Sequence, residues 1–524
     1  MMQRSFFIVL IIVAGYILIS SNISGLYIYA LDEAKNAECA REMLKTGNWI
    51  VPTFNYDLRT DKPPLHYYFM MLSYSVFGVN EFAARFFSVV MGVLTLLITY
   101  LFSSRFLDPK SGMWATIVLF SSLHYVLQFH MAVPDPYLIF FTTAALMSFY
   151  RAQQEDSKKF LFLFYLAMGL GVLTKGPVAI ALPGLILLLF LLFTKKFSWP
   201  IIKWSFDWRG ILLFLLVAVP WYVAVHIKTN GEWTSEFFLK HNIGRYTSEM
   251  EGHGGIFLLT FAFVLVGLLP FSIFIIQGIK KGWHDRQNPV VMLSLIASTS
   301  IIGFFAISST KLPNYTVPAY PFLAILIGYW ISQTIAHFQT RKASIKISLI
   351  FYLIFSIIFV VAAAIALKND KYLSHLSFLW YYLLVLPLGA SAALWFFYRS
   401  KINQAFISVA LSFVVLSLLF FHIIFAKIDR ENPVAQLMPK MNLERPVAGY
   451  RFFNPAFIFY LDGKVPRLEN PEEVRLYLES HPDAYIITRS RYLETLLDVN
   501  QVEVVMKSKD IFESPTTVIL QLSN

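Results

Sequence analysis

Three groups of residues in this chain have types and positions suited to chemistry. Asp32 and Glu33 stand together in YIYALDEAK, directly after an apolar run. Asp61 and Lys62 precede Pro63 and Pro64, directly before the next apolar stretch. Asp135 lies between two prolines at the start of another such stretch, and Lys175 falls in LTKGP between two more. Ionisable groups at the mouths of apolar segments are costly to hold, and a plain connecting loop does not need them. A carboxylate at a water–lipid edge can act as general base on an acceptor hydroxyl. It can also stabilise positive charge developing at a sugar carbon. Asp32 is the first candidate for that work. Glu33 beside it is a candidate for substrate contact, against the plainer reading of a structural acid. In Asp61-Lys62-Pro63-Pro64 the prolines fix the backbone and start the following helix. Lys62 is then aimed at one spot, where the bland reading is a snorkelling lysine with an ion-pair partner. Asp135 is the third candidate, with the alternative that it only favours a helix start through the dipole.

The cations point to an anionic ligand. A lone lysine in a short turn on the cation-poor side, such as Lys175, opposes the usual charge bias of membrane proteins. Arg245 in KHNIGRY is placed to clamp a phosphate bidentately. Lys311 and Tyr315 fall in the proline-rich STKLPNYTVPAYP, where interrupted helix suggests a cavity lining. For a divalent metal (zinc, or magnesium or manganese), Asp61, His241 and His253 are the candidate ligands. No HExxH or close histidine pair accompanies them. No nucleotide fingerprint is present either. Cations suit a lipid-linked phosphate, acids suit an acceptor nucleophile, and glycosyl transfer from a polyprenyl-phosphate sugar satisfies both.

These residues need elements to position them, and composition says which. Of 524 residues, 57% are hydrophobic and only 14% charged, which excludes an ordinary soluble protein. Runs near 20 residues with almost no charge indicate a polytopic α-helical membrane protein. The runs do not alternate, so they are not barrel strands. The single cysteine, Cys39, excludes an internal disulfide. Residues 5–27 read as an uncleaved first span, about 34 Å long at 1.5 Å per residue. Further spans are predicted at 83–105, 112–130, 134–151, 160–174, 177–194, 209–227, 256–277, 290–308, 314–335, 344–367, 376–398 and 404–425, about 13 in all. The stretch 65–80 is too short to cross and reads as a juxtamembrane helix. With it outside the count, Arg4, Arg105, Lys110, Arg151, Lys195, Lys196 and Lys280 share one side, which is then cytoplasmic. The net charge of +11 is thus a topology and lipid-contact signal, not a nucleic-acid footprint. The candidate residues fall on the opposite face, with 28–82 as the catalytic outer loop of a membrane domain spanning 1–426. Residues 427–524 are less apolar and turn-rich. Strands are expected at 447–452, 456–461, 484–488, 501–507 and 516–522, with helices at 471–480 and 490–497. This predicts a small α/β domain outside the membrane, read as a cover or a partner surface.

At these residues the sequence resembles the GT-C glycosyltransferases of the ArnT/PMT type, above all the aminoarabinose transferases that modify lipid A. The resemblance rests on Asp32-Glu33, AREMLKTGNWIVP, Asp61-Lys62-Pro63-Pro64-Leu65, EFAARF at 81–86, Asp135, LTKGP at 173–177, His241 through Arg245, and KLPNYTVPAYP at 311–321. Their order and spacing cover the chain to about residue 425. The resemblance implies Asp32 as main catalytic carboxylate, with Lys62 and Asp135 lining the same cavity. It implies Lys175, Arg245 and Tyr315 facing the donor phosphate or its leaving group. Asp61 stands where aminoarabinose transferases often carry glutamate. The implied donor is an undecaprenyl-phosphate sugar, such as 4-amino-4-deoxy-L-arabinose. The implied acceptor is lipid A or another glycan, lipid or protein, at the periplasmic face of a bacterial inner membrane. Two rivals remain at this point. One is a protein O-mannosyltransferase-like enzyme, which only the acceptor distinguishes. The other is a transporter or flippase of lipid-linked sugars, for which the expected internal repeats are not seen.

Overall fold

The computed structural model describes residues 2–244, 254–497, 502–511 and 515–523. It is mainly helical. Helix α1 covers Met2–Ile19, α2 Leu31–Thr46, α3 Leu65–Phe77 and α4 Glu81–Phe106. Among the described residues, seven helices are long and apolar enough to cross a membrane, and two bent helix pairs raise the number to nine. Ser5–Ile19 and Val178–Phe193 are shorter apolar helices.

Local chemistry explains the helix starts. Asn80 caps α4 by accepting from the Ala83 N–H, and Asp108 caps the next helix, Pro109–Phe120, by accepting from Ser111. Both satisfy an N–H that the first turn leaves without an intrahelical partner.

Three expected spans differ in shape. The first helix ends at Ile19 rather than near 27, followed by tight turns and Asn22 in a left-handed conformation. The expected 112–130 helix is two, Pro109–Phe120 and Leu123–Phe129, bent by 71°. The expected 256–277 helix is also broken, bending by 110° between Phe257–Gly267 and Phe271–His284. The two breaks support each other. The Ser122 hydroxyl caps Leu123–Phe129 and donates to the Gly267 carbonyl at 2.7 Å. Pro270 has no N–H to continue the second helix. Breaks of this kind are tolerated at membrane depth only where protein groups satisfy the freed backbone.

Near the C-terminus lie strands β3 (Val447–Tyr450), β4 (Arg467–Leu468), β5 (Tyr485–Arg489), β6 (Val502–Lys509) and β7 (Thr516–Leu522). A small hairpin, β1 (Thr53–Phe54) with β2 (Asp57–Leu58), precedes them in the chain. The C-terminal strands form one mixed sheet, ordered β4-β3-β5-β7-β6, parallel at β4-β3-β5 and antiparallel at β5-β7-β6. Ala456–Leu461 is a helix, not the strand its apolar run suggests. The Asn454 side chain accepts from the Ala456 N–H, and Pro455 supplies a helical φ at the cap. These are helix-start signals that outweigh β propensity.

The membrane helices share one large apolar cluster. A second cluster has a different composition. It joins Ala34, Ala37 and Met43 of α2 and Tyr67, Met70 and Tyr74 of α3 to Phe457, Ile458, Ile487 and Ile519 near the C-terminus. The segment carrying Asp32 therefore shares a core with the C-terminal sheet.

Candidate active site

The entry to α2 is held by a buried ion pair. Arg85 of α4 binds Glu33 through Nε at 2.8 Å and Nη2 at 3.0 Å. The same guanidinium donates to the carbonyls of Ile23 and Leu26 at 2.7 Å and of Tyr27 at 3.0 Å. Glu33 also accepts from the Ala132 N–H at 2.8 Å. Glu33, proposed from sequence as a substrate contact, is thus engaged on both oxygens. Asp32, its neighbour, is exposed in the first turn of α2, where the helix dipole favours a carboxylate.

The next layer is built by the β1–β2 hairpin. Asn55 and Tyr56 both have positive φ (57° and 63°), the requirement of a tight two-residue hairpin turn. Glu42 of α2 secures that turn, accepting from Thr53 at 2.6 Å and from the Tyr56 N–H at 3.0 Å. The chain leaves the hairpin through Arg59, Thr60, Asp61 and Lys62. Arg59 is buried. It donates to Asn36 Oδ1 at 3.0 Å and lies 3.4 Å from Asp61 Oδ2. The Trp233 indole donates to its carbonyl at 2.9 Å. Asp61 Oδ1 is 3.2 Å from His241 Nε2, and Thr60 donates to Glu236 at 2.7 Å. Burial raises the Asp61 pKa, but Arg59, Lys62 and His241 outweigh it and hold the carboxyl below its ordinary value. Lys62 is buried. His66, at the start of α3, is held neutral well below the ordinary histidine range by burial, then by Arg59, Lys62 and, further off, Lys175. These three cations thus act on one neighbourhood, and Asp32 is close enough to act on Arg59.

Asp135 and Lys175 complete it. Lys175 ends the helix Lys158–Lys175, Asp135 opens the helix Asp135–Glu155, and Nζ to Oδ1 is 2.7 Å. Asn314 donates to the same oxygen at 3.0 Å, and the Lys175 ammonium sits 5.3 Å from the Tyr315 ring centre. Gly176, at φ +74°, lets the chain turn where a Cβ would lie 2.6 Å from the Phe237 ring. Lys311 is buried and donates to the carbonyls of Ala306 (2.9 Å) and Ser308, at the end of the helix Pro289–Ile307. Its observed bonds are to backbone. Arg245 and His253 lie outside the described residues.

Asp61 and His241 supply two donors toward a metal, but Arg59 and Lys62 already compensate that carboxylate. Among the described residues no group of three His, Cys, Asp or Glu is placed to hold an ion. The described residues do not fit a metal centre. Sequence reasoning did not find Arg59, Asn36, His66 or Asn314. Nothing in their spacing signals that the fold buries them together.

The arrangement is a set of cations and carboxylates at the ends of apolar helices, suited to neutralising a departing phosphate and orienting a nucleophile. Known proteins resemble the chain in sequence and in fold. Residues 61–223 match the family described as dolichyl-phosphate-mannose-protein mannosyltransferase. An undecaprenyl phosphate-α-4-amino-4-deoxy-L-arabinose arabinosyl transferase of Shewanella sediminis is 30% identical over 373 residues, covering 70% of this chain and 67% of its own. The chain belongs to the GT-C glycosyltransferases of the ArnT/PMT type. It is therefore an enzyme of the polyprenyl-phosphate-sugar-dependent glycosyltransferase class. An uncharacterized protein of Aquifex aeolicus is 27% identical across 95% of this chain and 97% of its own. The GT-C fold is also seen in the crystal structure of ArnT from Cupriavidus metallidurans bound to undecaprenyl phosphate. That structure matches with a TM-score of 0.82 at 22% identity, covering 98% of each chain.

Proposed function

We propose that this enzyme transfers 4-amino-4-deoxy-L-arabinose from undecaprenyl phosphate to lipid A or a closely related acceptor. The observation that supports the reading is a pair of ion pairs at the ends of apolar helices, Lys175 with Asp135 at 2.7 Å and Arg59 with Asp61 at 3.4 Å, with Lys62 also acting on Asp61. The names of the arabinosyl transferase relatives supply the sugar and the carrier. In the proposed reaction an acceptor oxygen attacks the anomeric carbon and the bond from that carbon to the phosphate oxygen breaks. The polyprenyl phosphate leaves with the electron pair, and Lys62, Lys175 and Arg245 neutralise its charge. A hydroxyl acceptor delivers its proton to Asp32; a phosphate acceptor is already anionic and needs only the electrostatic help. Asp135 orients Lys175, and Tyr315 flanks it.

We place the site on the periplasmic face of the inner membrane. Thirteen crossings are proposed: the seven long helices, the two bent pairs, Ser5–Ile19, Val178–Phe193, and the helices Asp135–Glu155 and Lys158–Lys175. Residues 427–524 form the extracytoplasmic domain in this reading.

The test supplies labelled undecaprenyl-phosphate aminoarabinose and lipid A to the purified enzyme in lipid, with Asp32→Asn as control. Label on lipid A in the wild type alone supports the reading. No label from a folded enzyme overturns the acceptor or sugar. The match at 61–223 favours one second reading, a protein acceptor, which the same assay checks with secreted polypeptides in place of lipid A.

A further inference from the structure

The C-terminal sheet reverses its strand order at one point. The chain passes from β3 to β4 on one side and then to β5 on the other, all three parallel, so β3 lies between them. Side chains alternate between the two faces of a strand, and the two faces pack differently. Ile487 and Ile519 join the core shared with α2, while Ile486 and Leu520 join a separate cluster. The segment after β3 leads to Ala456 and Phe457 in the first core, and the segment after β5 leads to Leu496 in the second. The two segments therefore part to opposite faces at the carboxyl ends of β3 and β5. In open α/β sheets such a reversal point is where ligands bind.

Three arginines stand there. Arg451 directly follows β3, Arg489 ends β5, and Arg491 lies two residues further on. The Thr488 hydroxyl donates to the Tyr450 carbonyl at 3.1 Å and ties the two strand ends together. Arg451 has a φ of 54°, uncommon for a residue other than glycine. Its N–H donates to the Leu468 carbonyl at 2.8 Å and its Nε to the Glu469 carbonyl at 3.3 Å. Those bonds orient the guanidinium through Nε, and its Nη groups have no hydrogen-bond partner among the described residues. Arg451 and Arg491 converge on one ring, their Cζ atoms lying 5.4 Å and 4.6 Å from the Tyr492 ring centre. Arg489, only 8% exposed, places a third guanidinium 4.0 Å from the Phe452 ring centre. Among the described residues no carboxylate forms an ion pair with Arg451 or Arg491, whereas Arg475 nearby in sequence pairs with Glu472 and Glu479. Like charges held together repel. Cation–π contact with Tyr492 offsets part of that repulsion, and a bound anion offsets the rest. Arginine's planar fork matches the oxygens of a phosphate.

We propose that the carboxyl ends of β3 and β5 form a phosphate-binding site, in which Arg451 and Arg491 hold one phosphate monoester. Arg489 adds positive potential at the same strand ends. The phosphate is borne on a polar group reached from water, because Arg451, Ser490 and Arg491 are exposed. The site uses none of the residues assigned to sugar transfer and does not rest on that reading.

The test treats the full-length protein in phosphatidylcholine nanodiscs with phenylglyoxal, which modifies accessible guanidiniums, and maps the modified arginines by mass spectrometry. Glucosamine 1-phosphate should protect Arg451 and Arg491 together, and glucosamine should protect neither. Arg491→Gln, at an exposed position, should raise the concentration that half-protects Arg451 by at least about tenfold, the scale of one lost hydrogen bond to a charged group. Arg491→Lys keeps the charge without the fork and should restore only part of the protection. Inorganic phosphate and nanodiscs with added phosphatidic acid separate the sources. Stronger protection by phosphatidic acid supports the site with a lipid headgroup as ligand; stronger protection by the soluble probes supports it with a free phosphate or sugar phosphate. Equal protection by sodium chloride at the same ionic strength overturns the proposal. So does protection of Arg451 that ignores both variants, or no protection by any phosphate probe. No turnover is read, so failure here leaves the transfer reading standing, and failure of transfer leaves this site standing.

Discussion

Lys175 and Asp135 form a close charge pair in the candidate site, at 2.7 Å. Replacing Lys175 with methionine leaves Asp135 with Asn314 as its remaining observed donor. If Lys175 neutralises the leaving phosphate, kcat should fall about 10²- to 10³-fold, the scale of one lost electrostatic donor. Initial rates at saturating donor check this; an unchanged kcat removes Lys175 from the reaction. His66 gives a pH prediction. Its ordinary pKa is 6.5, and burial with nearby cations moves it well below that in the folded protein. Below pH 6.5 the unfolded state binds a proton that the folded state does not. Stability therefore falls as pH drops from about 6.5 toward the folded value. His66→Gln should flatten the slope of Tm against pH between about 7 and 5. An unchanged slope shows that His66 titrates as it does in the unfolded chain.

Helix α2 and its two supports matter most at the element scale. Arg85 joins the end of α1, the turn before α2 and the segment leading to Asp135 through one guanidinium and the Glu33 carboxylate. Asp32 and Asp135 are thereby tied to one anchor. Arg85→Met strands a buried carboxylate and three carbonyls, and should cost about 3–5 kcal/mol. Adding Glu33→Gln should recover part of that loss, because the uncompensated charge is gone. Thermal unfolding of the two variants decides it. Equal Tm values show that the buried charge is not the source of the cost.

At the scale of the whole molecule, the C-terminal segment acts as a clamp on α2. Arg41 donates to the Phe459 carbonyl at 2.7 Å and the Ile458 carbonyl at 3.1 Å, and lies 3.1 Å from Asp462. Asn55 and Val465 exchange two bonds of 2.8 Å, and the Tyr29 hydroxyl meets Asp510 at 2.5 Å. The two segments also share an apolar core. Arg41→Met should weaken the attachment by about 1.5–3 kcal/mol, the scale of hydrogen bonds to a charged group. Limited proteolysis near residues 451–464 should then run faster. Wild-type cleavage rates in the variant would show that the clamp does not depend on Arg41.

The membrane character and the family were legible, and the ionisable candidates stood out, because each depends on local pattern. A run of apolar residues must leave water whatever it later packs against. An acid or lysine at its end is conspicuous at once, and the order of Asp32, Lys62, Asp135 and Lys175 survives in the linear chain. Ala456–Leu461 was misread because its apolar run suits either element and its cap lay in Asn454-Pro455. The breaks near Ser122 and Pro270 were missed because they are joined by the bond from Ser122 to the Gly267 carbonyl, 145 residues away. Arg59, Asn36 and His66 gained their places only by burial together. Local free energies write themselves into short stretches of sequence. Desolvation and pairing depend on neighbours that only the folded chain supplies.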